Sequence, residues 1–231
     1  MKIESIYLNG TYLQNNPNWD IEDSFWKSKL VNYLIKKHNI FSELVCEVGC
    51  GAGHILVNLN KEFPGKRFVG FDISPQLNSF WKSIKTKNIT FNLEDFPGAK
   101  KEKYDLILML DVFEHVRDPL TFLEKIRNYS NSFIFHIPLD LSVLSILSSN
   151  TLLNSRKEVG HLTFYSKELA LEILKDAGYE IVEYCYTDAY KRSKSFRSKI
   201  AFLPRFLINL FSKDLSARFF GGQTLLVYAK K

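Results

Sequence analysis

LVCEVGCGAG, running from Leu44 to Gly53, is the stretch that decides the fold of this 231-residue chain. Its first half is apolar apart from Glu47, and its second half has a glycine at every other position. Glycine lets the backbone turn tightly and approach a ligand without a clash at Cβ. The pattern predicts a buried strand, a tight turn and a helix whose first N–H groups face a ligand.

The spacing of the glycines argues against a dinucleotide as that ligand. A dinucleotide fingerprint needs its third glycine one position later, where this chain has His54. Glu47, at the end of the strand, also suits a cationic ligand better than a pyrophosphate. The loop therefore favours a ligand that carries positive charge.

Short apolar runs alternate with amphipathic stretches around this loop, which is the pattern of a doubly wound α/β sheet. The predicted strands are Leu44–Val48, Arg67–Asp72, Ile89–Asn92, Tyr104–Leu110, Ser132–Pro138, Tyr179–Thr187 and Thr224–Lys230. The predicted helices are Ile21–Asn39, Gly53–Phe63, Pro75–Lys87, Asp118–Tyr129 and Ser166–Ala177.

Three segments lie outside this alternation. Residues 1–43 precede the first strand and are predicted to form a helical lid or cap on a domain that spans 44–231. Residues 139–165 and 189–222 are long insertions after strands. Insertions at strand ends are where α/β enzymes usually place substrate specificity.

Aromatic side chains are frequent in the N-terminal segment. Tyr12 and Trp19 are predicted lid residues. Phe25, Trp26 and Leu30 follow a helical spacing, and we expect Trp26 to pack on the sheet.

The composition is that of a globular protein, with 45% hydrophobic and 24% charged residues. It excludes wholesale disorder, collagen-like repeats and a disulfide-built miniprotein. The three cysteines (Cys46, Cys50 and Cys185) form no CxxC motif, so we expect a reducing, cytoplasmic environment. We also expect neither a signal peptide nor a membrane-spanning helix.

The formal net charge of +6 belongs to one segment. Between Asp188 and Phe220 there are eight basic and two acidic residues, so the rest of the chain is neutral on balance. This distribution does not support a nucleic-acid footprint over the whole protein. The basic segment suits a cap on the substrate site, attraction of an anionic substrate, or contact with an anionic membrane through 189–220. A solvated arm followed by a helix packed on its own domain is the favoured interpretation.

Acidic residues follow three further predicted strands. Asp72 ends the second strand, where a carboxylate can accept both hydroxyl protons of a ribose. Asp95 follows the third strand, where it can reach an adenine amino group. The fourth strand runs into the acidic turn LDVFEHV, residues 110–116.

Together these motifs resemble class I S-adenosylmethionine-dependent methyltransferases, over Leu44 to about Gly178. The motifs LDVFEHV and GHLTFYS resemble the small-molecule branch, typified by ubiquinone-biosynthesis-type O-methyltransferases. The segments HIPLD and RFFGGQTLLVYAK are similar to members associated with surface-polysaccharide or natural-product pathways. The resemblance implies a Rossmann-like, seven-stranded, mostly parallel sheet with an antiparallel last strand and helices on both faces.

The resemblance also implies which residues hold S-adenosylmethionine and its product S-adenosylhomocysteine. Residues of the glycine loop would line the methionine moiety: Glu47, Gly49, Cys50, Gly51 and Gly53. Asp72 would bind the ribose, Ile73 the adenine face, and Asp95 with Phe96 the adenine edge. Leu110 and Asp111 would face the cofactor amino group and the substrate.

Methyl transfer to a hydroxyl requires that its proton leave, and histidine is the usual base near neutral pH. His115, His136 and His161 are the candidate catalytic residues, and the sequence leaves open which of them acts. There is no metal-ligand spacing such as HExxH and no triad signature, so no metal is expected.

The favoured function is O-methylation of a small molecule such as a sugar, a polysaccharide precursor or a natural product. The first alternative is methylation of RNA, but the turn after the fourth strand lacks the Asp/Asn-Pro-Pro-aromatic signature of base amino-group methylation. A non-catalytic module that only binds the cofactor is the second alternative. We expect a small-molecule substrate, sugar-like or anionic, and no nucleic acid; the oligomeric state stays open.

Overall fold

The computed structural model describes residues 4–96, 102–148, 150–192 and 202–231. Within these ranges seven strands form one sheet: β1 (Leu44–Val48), β2 (Arg67–Asp72), β3 (Ile89–Leu93), β4 (Leu106–Leu110), β5 (Ser132–Pro138), β6 (Glu180–Thr187) and β7 (Thr224–Lys230). Four of the seven predicted strands have the predicted bounds, and the other three differ by one or two residues at one end.

The strands are ordered β3-β2-β1-β4-β5-β7-β6 across the sheet. β1 to β5 pair in parallel, whereas β7 is antiparallel to both β5 and β6. This confirms the predicted Rossmann-like, mostly parallel sheet with an antiparallel last strand. Strands β2 and β3 lie on one side of β1, and β4 and β5 lie on the other, so the strand order reverses between β1 and β4. Ligands bind at such a switch point, beyond the carboxyl ends of the strands.

The α-helices are α1 (Glu4–Leu8), α2 (Thr11–Asn15), α3 (Ile21–Lys37), α4 (His54–Glu62), α5 (Asn78–Trp81), α6 (Pro119–Ile126), α7 (Val143–Leu147), α8 (Thr151–Glu158), α9 (Lys167–Asp176), α10 (Phe202–Phe211) and α11 (Lys213–Phe220). Short 3₁₀ turns lie at Pro75–Leu77, Phe113–His115, Arg127–Tyr129 and Ala189–Lys191.

Helices cover both faces of the sheet. α3 and α4 pack on one face, in a hydrophobic cluster that includes Val45 of β1. α6 and α9 belong to the cluster on the other face, which includes the next residue, Cys46. All five side chains of β1 are therefore buried, as a parallel strand covered on both sides requires.

One predicted helix is shorter than expected. The sequence predicts a helix over Pro75–Lys87, but the structure has only the turn Pro75–Leu77 and α5. The Trp81 indole donates a hydrogen bond of 2.9 Å to the Gly51 carbonyl and so holds the end of α5 against the glycine loop. Residues 83–88, SIKTKN, follow Lys82 and include weak helix formers, so the helix does not continue beyond Trp81.

The two insertions carry helices of their own. No helix was predicted within 139–165, but the structure has α7 and α8 there. In 189–222 it has α10 and α11, but α10 packs on the domain only in part, because Leu210 is 66% and Phe211 89% exposed. The basic residues Lys194, Arg197 and Lys199 lie outside the described residues. No helix in the described part of the chain combines the length and apolar character needed to cross a bilayer.

Gly53, which precedes α4, offers a stability test of the glycine loop. Its φ is +78°, and a Cβ there would lie 2.4 Å from Cζ of Phe91. We expect Gly53→Ala to lower the free energy of unfolding by about 1–2 kcal/mol, because alanine is strained in the left-handed region. Urea unfolding measures this change. The matched control is Gly65→Ala, whose Cβ would meet no described atom within 4 Å; equal effects of the two variants would contradict the prediction.

Candidate active site

One cavity of about 770 Å³ lies at the carboxyl ends of β1, β2 and β4. Its volume is within the range of small-ligand sites, about 300–1,000 Å³. The structure brings all of the predicted site residues to its wall: Glu47, Gly49, Cys50, Gly51, Gly53, Asp72, Ile73, Asp95, Phe96, Leu110, Asp111, His115, His136 and His161. Their individual roles remain predictions.

The glycine loop is held against β2. The backbone N–H groups of Gly49 and Cys50 both donate to the Phe71 carbonyl, at 2.8 and 2.9 Å. At Gly49, where φ is +69°, a Cβ would lie 2.7 Å from Cγ2 of Val112. The tight turn therefore needs glycine at this position, and it leaves the backbone bare toward the cavity.

Glu47 places a carboxylate under this loop. The residue is 1% exposed, and its Oε2 has no hydrogen-bond partner among the described residues. Burial raises the pKa of Glu47 well above its usual range, while the charge of Lys27 acts in the opposite direction. A buried carboxylate oxygen without a partner fits a ligand that brings hydrogen-bond donors or positive charge.

Asp72 connects β2 to the glycine loop. One carboxylate oxygen accepts the Gly51 N–H and the other accepts the Ser74 N–H, both at 3.0 Å. Burial raises the pKa of Asp72, and these hydrogen bonds oppose that effect. A carboxylate has about four acceptor positions, so two bonds leave capacity for the hydroxyl groups of a ligand.

Phe96 differs from the other predicted cofactor residues in its surroundings. It is 4% exposed and packs against Phe71, Tyr104 and Tyr129, with ring centroids 4.9–6.0 Å apart. It reaches the cavity from within this aromatic cluster. Its position is therefore determined by core packing as well as by the cavity wall.

Asp111 lies at the centre of an ionic network at the mouth of β4. Lys27 Nζ lies 2.6 Å from one of its carboxylate oxygens, and His136 Nδ1 lies 2.7 Å from the other. Burial alone would raise the pKa of Asp111, but the charges and hydrogen bonds of His136 and Lys27 outweigh it and hold that pKa well below its usual range. Asp111 also has a left-handed backbone, with φ of 57°, which orients the carboxylate.

His136 has both ring nitrogens engaged. Nδ1 contacts Asp111, and Nε2 lies 3.1 Å from the Thr187 hydroxyl. The Trp26 ring packs edge-on against the imidazole, with centroids 5.5 Å apart. These contacts favour a positioning role for His136, since neither nitrogen is directed at an empty part of the cavity.

His115 and His161 lie next to each other at another wall of the cavity, with ring centroids 4.8 Å apart. Burial lowers the pKa of His115 to about 3, and the nearby His161 adds to the shift. Burial also acts to lower the pKa of His161, but the hydrogen bond and charge of Asp140 outweigh it, so that pKa is raised. Glu114, which is completely buried beside them, has its pKa raised to about 8 by burial and by the charge of Asp111.

Four residues of this site were not assigned from the sequence: Tyr7, Lys27, Glu114 and Asp140. Glu114 and Asp140 lie within quoted motifs, LDVFEHV and HIPLD, so the sequence held a signal for them. Tyr7 and Lys27 come from the N-terminal helices, and only the tertiary structure shows that they face the cavity.

Side chains of the N-terminal segment line the cavity and contact the end of α8. The Tyr7 hydroxyl donates to the Val159 carbonyl at 2.7 Å, which joins α1 to the end of α8. Asn15 Nδ2 donates to the Glu158 carbonyl at 3.0 Å. Tyr12 and Trp19, the predicted lid residues, line the cavity with ring centroids 4.7 Å apart.

The expected packing of Trp26 on the sheet is confirmed at one contact, with His136 of β5. Trp26 lines the cavity and contacts His136, and Phe25 is 60% exposed. The buried face of α3 consists of Ser24, Ser28, Val31, Leu34 and Ile35. Phe25 and Trp26 lie outside this face, so the aromatic spacing of the sequence does not mark the buried side of α3.

Arg192, in the basic segment, reaches across to α3. Its Nε lies 2.5 Å from Asp23 Oδ1, and its guanidinium donates to the Glu22 carbonyl at 2.7 Å. We expect Arg192→Gln to lower the free energy of unfolding by about 1 kcal/mol at low salt, and less at high salt because salt screens exposed charges. Cofactor affinity should be nearly unchanged, because the predicted cofactor residues all precede residue 112.

Lys191→Gln is the matched control, because it removes the same charge one position earlier. Lys191 pairs with Asp188 of its own turn, at 2.7 Å. Urea unfolding at low and high salt compares the two variants. If both variants change stability alike, the contact of Arg192 with α3 contributes no specific stabilisation. If only substrate KM or liposome binding changes, the basic segment serves a steering or membrane role instead of joining the insertion to α3.

Comparison with known proteins identifies the family to which this chain belongs. The architecture is that of class I S-adenosylmethionine-dependent methyltransferases. A family model described as "Methyltransferase domain" matches residues 23–184, and the chain belongs to this family.

Two curated relatives match parts of the chain. The tRNA U34 carboxymethyltransferase of Sulfurimonas denitrificans is 32% identical over 110 residues, covering 45% of this chain and 37% of the relative. The ubiquinone biosynthesis O-methyltransferase of Vibrio vulnificus is 28% identical over 115 residues, covering 45% of this chain and 48% of the relative. The matched region thus spans less than half the length of each of these relatives.

Solved structures share the fold over the whole chain. A methyltransferase from the complex with the Haloferax volcanii Trm112 methyltransferase activator superposes with a TM-score of 0.65 at 16% identity, covering 100% of this chain and 97% of that one. The plantazolicin methyltransferase BpumL, solved with S-adenosylhomocysteine, gives 0.64 at 16% identity, covering 100% and 94%. At this identity the likeness shows the fold alone.

The residues present fit S-adenosylmethionine. A Cβ at Gly49 or Gly51 would lie within 3 Å of Val112 or Trp19, two residues that line the cavity, so the loop has this shape only with glycine. The unpartnered oxygen of Glu47 suits the positively charged end of such a cofactor, and the spare acceptor positions of Asp72 suit its ribose hydroxyls. When bound, the cofactor supplies a methyl group carried on a positively charged sulfur.

Proposed function

We propose that this chain methylates a hydroxyl oxygen of a small molecule, which binds in the cavity between the predicted cofactor residues and His115 and His161. One observation carries the proposal: a single cavity reaches both the glycine loop and these two histidines. The hydroxyl oxygen would take the methyl group as the carbon–sulfur bond breaks with its electron pair left on sulfur, and the hydroxyl proton would leave.

The histidine pair supports a hydroxyl as the acceptor. Both rings line the cavity, and an unprotonated imidazole nitrogen can take the proton of an O–H group. In-line methyl transfer depends mainly on orienting the acceptor. The network of Lys27, Asp111 and His136 gives this part of the wall a stable shape in which an acceptor can be oriented.

The cover over the cavity supports a small acceptor. Tyr7 and Asn15 tie the N-terminal helices to α8, so residues 1–43 would act as the lid of the methyltransferase domain 44–231. A small sugar-like or phenolic molecule fits under such a cover more readily than a folded RNA.

The test is the release of S-adenosylhomocysteine from the full chain with S-adenosylmethionine and a panel of sugars, phenols and tRNA. We expect release with at least one hydroxyl compound and none with tRNA. The Asp72→Ala variant is the control, because activity from a contaminating enzyme would not depend on this residue. Release with tRNA alone would support RNA methylation, and cofactor binding without release for any acceptor would support a non-catalytic binding module; either result would overturn the proposal.

A further inference from the structure

Glu114, His115 and His161 form a compact cluster at the wall of the cavity. Glu114 and His115 lie in the 3₁₀ turn after β4, and His161 lies in the insertion 139–165. The Glu114 carbonyl accepts the N–H groups of Leu162 and Thr163, at 2.8 and 3.1 Å, which holds the two segments together. One donor atom from each of the three side chains lies within 4.8 Å of the others.

The hydrogen bonds assign the tautomer of His115. The Tyr7 hydroxyl has one proton and donates it to the Val159 carbonyl at 2.7 Å. The 3.0 Å contact between His115 Nδ1 and the Tyr7 oxygen must therefore be donated by the histidine. His115 thus has its proton on Nδ1 and an electron pair on Nε2, which lies 3.8 Å from Glu114 Oε1.

His161 has the same tautomer for a similar reason. Its Nδ1 lies 2.5 Å from Asp140 Oδ2, and an ionised carboxylate only accepts. In the neutral ring the proton is therefore on Nδ1 and the electron pair is on Nε2. A histidine whose Nδ1–H binds a carboxylate or carbonyl is the usual arrangement behind a metal ligand, because it orients the ring and makes Nε2 more basic.

Glu114 completes the cluster. It is completely buried, and neither carboxylate oxygen has a hydrogen-bond partner among the described residues. A buried carboxylate without a hydrogen-bond partner is costly, and here it lies beside two imidazoles whose Nε2 atoms can each act as a metal ligand when they carry no proton. A cation between the three side chains would satisfy all of them at once.

We propose that Glu114, His115 and His161 bind one divalent transition-metal ion through a carboxylate oxygen and two Nε2 atoms. Two imidazoles and one carboxylate favour Zn²⁺ or Co²⁺ over the harder Mg²⁺, which prefers oxygen ligands alone. Three protein ligands leave coordination positions open. Since His115 and His161 line the cavity, those positions face the space in which an acceptor would bind.

The ion would also explain how the acceptor is activated, and this part rests on the proposed function. A hydroxyl oxygen bound to the ion would have a lowered pKa, so its proton would pass to water before the oxygen takes the methyl group and the carbon–sulfur bond breaks with its electron pair left on sulfur. The sequence predicts no metal because His115 and His161 are 46 positions apart, and no short spacing motif joins them.

Titration of the chelator-stripped full chain with ZnCl₂ and with CoCl₂, followed by calorimetry and by Co²⁺ absorption, tests the site. We expect one ion per chain. Glu114→Gln and His161→Ala should each weaken binding at least about 100-fold, and Asp140→Asn, which only orients His161, about 10- to 100-fold. His38→Ala is the control, because His38 pairs with Glu183 on another part of the chain; its affinity should equal that of the wild type.

Circular dichroism and S-adenosylhomocysteine affinity show whether each variant is folded, and Asp140→Asn keeps the test decisive if the ligand variants unfold. No binding to the wild type, or binding that these variants do not change, would overturn the metal site. The two proposals fail separately. Methyl transfer by metal-free protein would exclude the ion from acceptor activation but would agree with the proposed function. An ion bound by a chain that methylates no hydroxyl compound would agree with the metal site but would overturn the proposed function.

Discussion

Asp72→Ala is expected to weaken the binding of S-adenosylhomocysteine by about 10- to 150-fold. Hydrogen bonds to a charged group are worth about 1.5–3 kcal/mol, and the variant removes those from the carboxylate to the ribose. The loss of the bond to the Gly51 N–H should add to the effect, because Asp72 also holds the glycine loop in its turn. Calorimetric titration with S-adenosylhomocysteine measures the dissociation constant.

Two further variants make this result specific. Asp72→Asn keeps one acceptor oxygen without the charge, and its affinity should lie between those of the wild type and the alanine variant. Asp176→Ala removes an exposed carboxylate at the end of α9 and should leave the affinity unchanged. A folded Asp72→Ala protein with the wild-type dissociation constant would exclude Asp72 from the cofactor site.

Asp111→Asn is expected to lower the free energy of unfolding by about 3 kcal/mol at pH 7. Removing one partner of a buried ion pair costs about 3–5 kcal/mol, since the other charge is left uncompensated. We expect the lower end of this range because the Asp111 side chain is 26% exposed and that of Lys27 17%. Asparagine tolerates the left-handed backbone at this position, so the substitution tests the charge and not the turn.

The effect of Asp111→Asn should depend on pH in a defined direction. The pKa of Asp111 is lower in the folded chain than in the unfolded one, where it is about 3.9. The stabilisation is therefore complete above that value and is lost as the pH falls through the folded-state pKa. Urea unfolding of wild type and variant should differ fully at pH 7 and less with each step below about pH 4.

The control for this prediction is Asp176→Asn, at an exposed position of α9, which should change stability by less than about 0.5 kcal/mol. A difference between wild type and Asp111→Asn that grows toward low pH would contradict the pKa direction. An unchanged stability at pH 7 would show that the network of Lys27, Asp111 and His136 contributes no net stabilisation.

The strands were predictable because of how a parallel sheet is buried. β1 and β5 have the predicted bounds, Leu44–Val48 and Ser132–Pro138, since strands covered on both faces are continuous apolar runs that end at turns. The glycine loop and the acidic residues after β2 and β4 also followed from the sequence, because chain order alone places them at one edge of the sheet. The helix predicted after β2 was too long, since the contact of Trp81 with the glycine loop is a tertiary interaction.

The sequence by itself predicted the sheet, because periodicity and glycine spacing are local properties. Its resemblance to a known family implied the methyltransferase class and the cofactor residues, and the three histidines were chosen as candidate bases. The tertiary structure decided which partners those residues have. Lys27 reaches Asp111, and Asp140 orients His161, through contacts between segments far apart in the chain. The meeting of His161 with Glu114 and His115 has the same origin, since distances between side chains on different elements depend on how helices and insertions pack over the sheet and leave no periodic trace in the sequence.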